Sequence, residues 1–203
     1  MLKHTRMRTA LAAMAVATAW TFAPPARAAF IASMQQVGSD VVMTGSGSIN
    51  LADMSLFDSP YDAGSNVFPN QGLVKLGPAT PGTFSWYISL NTGPGSLGTI
   101  GQTFANTGSG DYVAIYGNGS ALGVPVGYVS NTPLVDTATF TNASFASLGV
   151  TPGLYVWTWG SATDGSYDTF TLQIDTVPEP ATALMLGVPV AFTWLARRRP
   201  RVR

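Results

Sequence analysis

The chain has no cysteine, and its one histidine, His4, stands within the first ten residues. Without cysteine there is no disulfide framework, no thiolate nucleophile and no thiolate metal site. With histidine confined to the leading segment, Ser-His-Asp and Cys-His catalysis are excluded from the rest, as are histidine-based zinc and copper sites. Cations are equally scarce in the middle. Four basic residues (Lys3, Arg6, Arg8, Arg27) precede residue 29 and five (Arg197, Arg198, Arg199, Arg201, Arg203) follow residue 196. Lys75 is therefore the one cation between Ala29 and Ala196, against nine Asp and Glu179. That stretch carries a net charge of −9 within a chain of zero formal charge. Nucleic acid is recognised through clustered Lys and Arg, so no nucleic-acid partner is expected. Anionic lipid would repel the acidic stretch, so any membrane attachment must come from the ends.

Both ends have the composition for it. A basic stretch (Lys3, His4, Arg6, Arg8) precedes an apolar run from Thr9 to Phe22. Pro24 and Pro25 then break the helix, and Ala26-Arg27-Ala28 offers small residues where a signal peptidase reads. Residues 1–28 are expected to be a signal peptide, with cleavage after Ala28 and a mature start at Ala29. At the other end, Val177-Pro178-Glu179-Pro180 cannot join a helix interior or a central strand and is expected to be extended and accessible. Sixteen uncharged residues follow, Ala181 to Ala196. At about 1.5 Å per residue they span roughly 24 Å, close to a hydrocarbon core of about 30 Å once snorkelling arginines are included. A single transmembrane helix is expected. The terminal arginines orient it with the C-terminus in the cytoplasm.

The order of Val177-Pro178-Glu179-Pro180-Ala181-Thr182, helix and terminal arginine cluster, in a chain with a signal peptide, resembles the PEP-CTERM sorting signal. That signal also carries the label ice-binding protein C-terminal domain; the tail itself gives no reason to expect ice binding. The resemblance covers Val177 to Arg203, and Pro189 and Trp194 depart from the smoother Leu/Gly/Ala helix usual there. It implies recognition by exosortase, a membrane cysteine transpeptidase that cleaves at or near Pro-Glu-Pro. The protein would then be anchored transiently in the inner membrane before reaching the cell surface or the exterior. The stretches Gly127–Ser130, Asn142–Gly149 and Gly153–Gly160 resemble ectodomains that recur among PEP-CTERM proteins and carry no established activity.

Residues 29–176 read as a β-rich ectodomain. Thr169 to Ile174 alternates, with Phe170, Leu172 and Ile174 on one face. Leu154 to Trp159 has large residues on both faces, which suggests burial on both sides or an aromatic surface. Further strands are expected at Phe30–Gln35, Val41–Thr44, Ser48–Leu51, Thr83–Leu90 and Asp111–Gly117, with a helical turn around Ala143 to Leu148. Turn clusters are expected at 45–47, 91–95, 108–111, 117–120 and 151–153. Short strands at near-regular spacing predict an all-β, antiparallel sandwich or jelly-roll-like fold.

Little in this domain carries catalytic chemistry. Lys75 lies in the apolar segment Gly72 to Gly77 without a neighbouring serine, and is expected to be a solvated lysine that guards a strand edge. Glycoside hydrolysis needs two placed carboxylates, and no aspartate pair stands out. The chain is therefore expected not to be an enzyme and to need no cofactor. Calcium is the one ion its oxygen-rich segments Asp58–Asn66 and Asp164–Asp168 would suit, although neither matches a known spacing and both suit turn chemistry. Asn118-Gly119-Ser120 and Asn142-Ala143-Ser144 fit the N-glycosylation pattern but are expected to be unmodified turns. Trp86, Tyr87, Tyr155, Trp157 and Trp159 are expected to fill the core, the alternative being a platform for sugar rings. A structural or matrix role follows as the first expectation, and a carbohydrate-binding module, calcium-assisted or not, as the second. The implied partners are signal peptidase, exosortase, the membrane and extracellular polysaccharide.

Overall fold

The computed structural model describes residues 29–175 apart from residues 100 and 119. The signal peptide with Ala26 and Ala28, the sorting motif Val177 to Pro180, the apolar run and the terminal arginines lie outside the described residues. Among the described residues, no helix is long and apolar enough to cross a membrane.

The strands are β1 (Phe30–Val37), β2 (Asp40–Gly47), β3 (Ser55–Ala63), β4 (Asn66–Phe68), β5 (Leu73–Leu76), β6 (Gly82–Ile88) and β7 (Leu90–Thr92). They continue as β8 (Thr103–Phe104), β9 (Thr107–Gly110), β10 (Val113–Tyr116), β11 (Ala121–Pro125), β12 (Leu134–Phe140), β13 (Gly153–Trp159) and β14 (Asp168–Asp175). The one α-helix, α1, covers Phe145–Leu148 among the described residues. It starts on a capping box in which the Ser144 hydroxyl accepts from the Ser147 N–H while the Ser147 hydroxyl accepts from the Ser144 N–H.

Two seven-stranded sheets result, ordered β7-β13-β14-β1-β2-β12-β9 and β3-β6-β11-β10-β5-β4-β8. Pairing is antiparallel except that β1 lies parallel to β14, which joins the first and last described strands at the centre of the first sheet. Every second residue of each sheet feeds one shared core: Phe30, Met34, Met43, Phe140, Trp157, Trp159, Phe170 and Leu172 from the first, Val74, Leu76, Ile115, Leu122 and Val124 from the second. Phe30 stacks on Phe170, and Trp157 meets Phe170 edge-on. Two buried indoles keep a partner, Trp157 donating to the Pro94 carbonyl at 3.0 Å and Trp159 to the Asn50 carbonyl at 2.7 Å.

Several expectations need correcting. Residues 48–51 form no strand, because Gly47 ends β2 at φ 140° and the Asn50 and Leu51 N–H groups turn to Asp168 Oδ2 and Ser130 Oγ. The run Thr83–Leu90 is two strands in different sheets, broken at Ser89 with φ 108°. The glycine clusters at 45–47 and 108–110 are strand, not turn, and so is Asp58–Ala63. In β13 only alternate residues are buried: Trp157 and Trp159 enter the core, while Leu154 lies open.

Candidate functional site

The outer face of the second sheet departs from the polar surface usual on a sandwich. Reading across it in register, one row runs Asp58–Trp86–Gly123–Ala114–Lys75–Asn66–Phe104. A second row runs Ser55–Ile88–Ala121–Tyr116–Leu73–Phe68. The first row places the small residues Gly123 and Ala114 at the middle of the sheet, and the second sets Ala121 between Ile88 and Tyr116. The outcome is a trough in which Ala121 is the small lining residue, between the larger Ile88, Trp86 and Tyr116. A side chain at Gly123 would press against Ala114 Cβ and the Phe84 ring, each at 3.0 Å, so the outer face is tightly packed there.

Phe84 and Trp86 meet edge-on at 5.1 Å on one wall, and Tyr61 from β3 packs against both, at 5.3 and 6.3 Å. Tyr116 reaches Trp86 from the other side at 6.4 Å. The cavity that these walls enclose has a volume of about 600 Å³. Gln71, Gln102, Asp58 and Lys75 supply its polar lining. Gln71 Oε1 accepts from the Asn118 amide at 2.7 Å, which fixes it at the rim. A register irregularity in β3 between Leu56 and Asp58 accompanies an outward-standing Phe57, 69% exposed, at the cavity mouth.

Lys75 corrects the sequence-based expectation most directly. It is neither solvated nor on an edge: β5 lies between β10 and β4, and Lys75 is 7% exposed. The small residues beside it let its stem lie along the sheet, so that Nζ stands 5.4 Å from the Tyr61 ring centre and 5.7 Å from that of Phe84. No carboxylate pairs with it among the described residues. Burial lowers its pKa from the ordinary lysine value. Its register neighbour Asn66 is fully buried, and both atoms of its amide lack a hydrogen-bond partner.

The aromatic residues singled out from the sequence therefore divide. Trp157 and Trp159 are core with no exposed surface, and Tyr155 packs against them. Tyr87 faces inward, whereas Trp86 stands on the outer face in a second cluster with Phe84 and Leu73. Tyr61, Phe57, Phe68 and Tyr116 were not foreseen. Their signal was available only as register, since they come from three strands.

The acidic groups do other work. The Ser166 hydroxyl, its one hydrogen shared, donates to the carboxylates of Asp53 and Asp164, and Asp164 is held below the usual carboxylate range by the Ser166 hydroxyl and N–H. Asp168 accepts from the N–H of Asn50 at 2.7 Å, yet burial outweighs those bonds and pushes its pKa up to about 6. Among the described residues no group of three or more His, Cys, Asp or Glu gathers where a metal ion would sit. Asp136, 1% exposed in the core, has no hydrogen-bond partner on either oxygen, and burial with the nearby Asp111 charge raises its pKa to about 8.

The outer face of the first sheet is different again. Its central row, Leu154–Gln173–Ser33–Thr44–Thr137–Ser109, is uncharged and hydroxyl-rich, with Ser33–Thr44 and Ser109–Thr137 bonds of 2.9 and 3.0 Å. Compared with known proteins, the chain matches no family model, no curated protein and no solved structure.

Proposed function

We propose that residues 29–175 form a non-catalytic glycan-binding domain of an exported surface or matrix protein, with the trough on the second sheet as its binding site. The observation that carries this reading is the trough itself: aromatic walls around a polar lining of Asp58, Lys75, Gln71 and Gln102. A sugar ring has apolar C–H faces and a hydroxylated edge. Aromatic rings suit the faces, and paired carboxylate, amide and ammonium groups suit the hydroxyls. Among the described side chains the lining holds one carboxylate, Asp58, where glycoside hydrolysis uses two. Calcium is given no part in this reading; Asp168 accepts from the Asn50 and Thr169 N–H groups and Asp164 from Ser166, as turn-forming carboxylates do.

Delivery belongs to the same proposal. The signal peptide ending at Ala28 exports the chain. The Pro178-Glu179-Pro180 tail, its apolar helix and its arginines hold the domain at the inner membrane until exosortase releases it.

A glycan array probed with and without calcium tests the binding claim. Retention of neutral or mixed saccharides, unchanged by chelation, is expected; a blank array contradicts it. Replacement of Glu179 by Gln is expected to leave the protein in the membrane fraction, and unchanged release would count against exosortase sorting.

A further inference from the structure

We infer that the trough selects a saccharide chain bearing one carboxylate among neutral sugars, with that carboxylate seated on the Lys75 ammonium. This deepens the glycan-binding reading and rests on it.

Lys75 is the starting point because its position is costly. An ammonium withdrawn from water without a counter-charge destabilises the fold. Two rings compensate in part through their negative faces, at 5.4 and 5.7 Å from Nζ. Lys75 lines the cavity and, among the described residues, meets no carboxylate there, while its register neighbour Asn66 is buried with an unpartnered amide. A ligand carboxylate arriving at Nζ would supply the missing charge in a setting poor in water, where such a pair is worth more than at an open surface.

The surroundings limit how many charges the ligand carries. Asp58 lines the same cavity from β3, four strand spacings from Lys75, or about 19 Å between backbones. A carboxylate on every sugar would bring like charge to Asp58. Neutral sugars there would instead offer hydroxyls for Asp58 to accept from. Across the described residues, Lys75 stands alone against nine Asp, so the domain as a whole repels polyanions and one point within it attracts. One acidic sugar among neutral ones satisfies both conditions.

Calorimetric titration of the whole chain in lipid nanodiscs separates this inference from the reading beneath it. The probes are a tetrasaccharide alternating glucuronate with neutral hexose, the same saccharide after carboxyl reduction, and a homopolymeric tetra-uronate. The alternating saccharide is expected to bind about tenfold more tightly than either other probe, with the preference falling as salt rises. Lys75→Met or Lys75→Gln should erase the preference, with the fold of each variant read separately from its circular dichroism spectrum and its urea unfolding transition. Equal binding of acidic and reduced forms by the unaltered chain overturns the carboxylate site and leaves glycan binding standing. Binding of neither overturns both. A preference that survives in a folded Lys75 variant overturns the role given to Lys75.

Discussion

Lys75 and Asp136 are the two residues whose chemistry opposes their surroundings, and they lie on opposite sides of the second sheet's inner strands. Lys75 projects outward among aromatic rings, where among the described residues it is a cation without a carboxylate. If the position serves binding, removing the charge should help the empty protein. Lys75→Met is expected to raise unfolding stability by about 1 kcal/mol, measured by urea denaturation without saccharide. A loss of stability would mean that the ammonium contributes to the fold. Asp136 projects inward, with both oxygens unpartnered and its pKa lifted to about 8 by burial and by Asp111. Asp168 is lifted to about 6. Both groups bind a proton more tightly folded than unfolded, so stability is greatest in mild acid and falls as pH rises from about 4 through these two values. Asp136→Asn is expected to remove its share of that slope, which is at most about 1.4 kcal/mol per pH unit. Unfolding curves between pH 5 and 8 that keep the full slope would contradict the assignment.

Among the elements, legibility followed periodicity. The alternation at Thr169–Ile174 predicted β14 and its buried face, and Ala143–Leu148 predicted α1. Failures came where pairing overrode local composition. Gly45 and Gly108 look like turn residues, yet both occupy strands because a side chain at either would strike a neighbour: Asp136 and the Phe30 ring at Gly45, the Gly77 carbonyl at Gly108. Thr83–Leu90 looked like one strand because its composition is uniform; only the shift of sheets at Ser89 divides it. Ser89 holds φ 108°, a conformation that favours glycine. Ser89→Gly is expected to stabilise the protein by about 1 kcal/mol through relief of that strain, read from the denaturation midpoint. Lys75 was misjudged for a related reason. From the sequence its segment looked like an edge, and nothing local showed that β4 and β10 would cover both sides of β5.

At the scale of the whole molecule, the sandwich gives its two outer faces different surfaces. The first sheet presents rows of hydroxyls and aliphatic side chains, the second an aromatic trough with a buried cation. The all-β class and the core were readable from composition and alternation. The trough was not, because its lining is assembled across six strands by register, and register is a property of the fold. Glycan recognition by this trough is the central claim, and the indole resonances test it most directly. Trp86 lines the trough, whereas the indoles of Trp157 and Trp159 are bonded to Pro94 and Asn50 inside the core. In ¹⁵N-labelled protein titrated with oligosaccharides, the Trp86 indole signal is predicted to shift with saturation while those of Trp157 and Trp159 stay in place. A Trp86 signal unmoved by every saccharide that the protein retains would contradict the account.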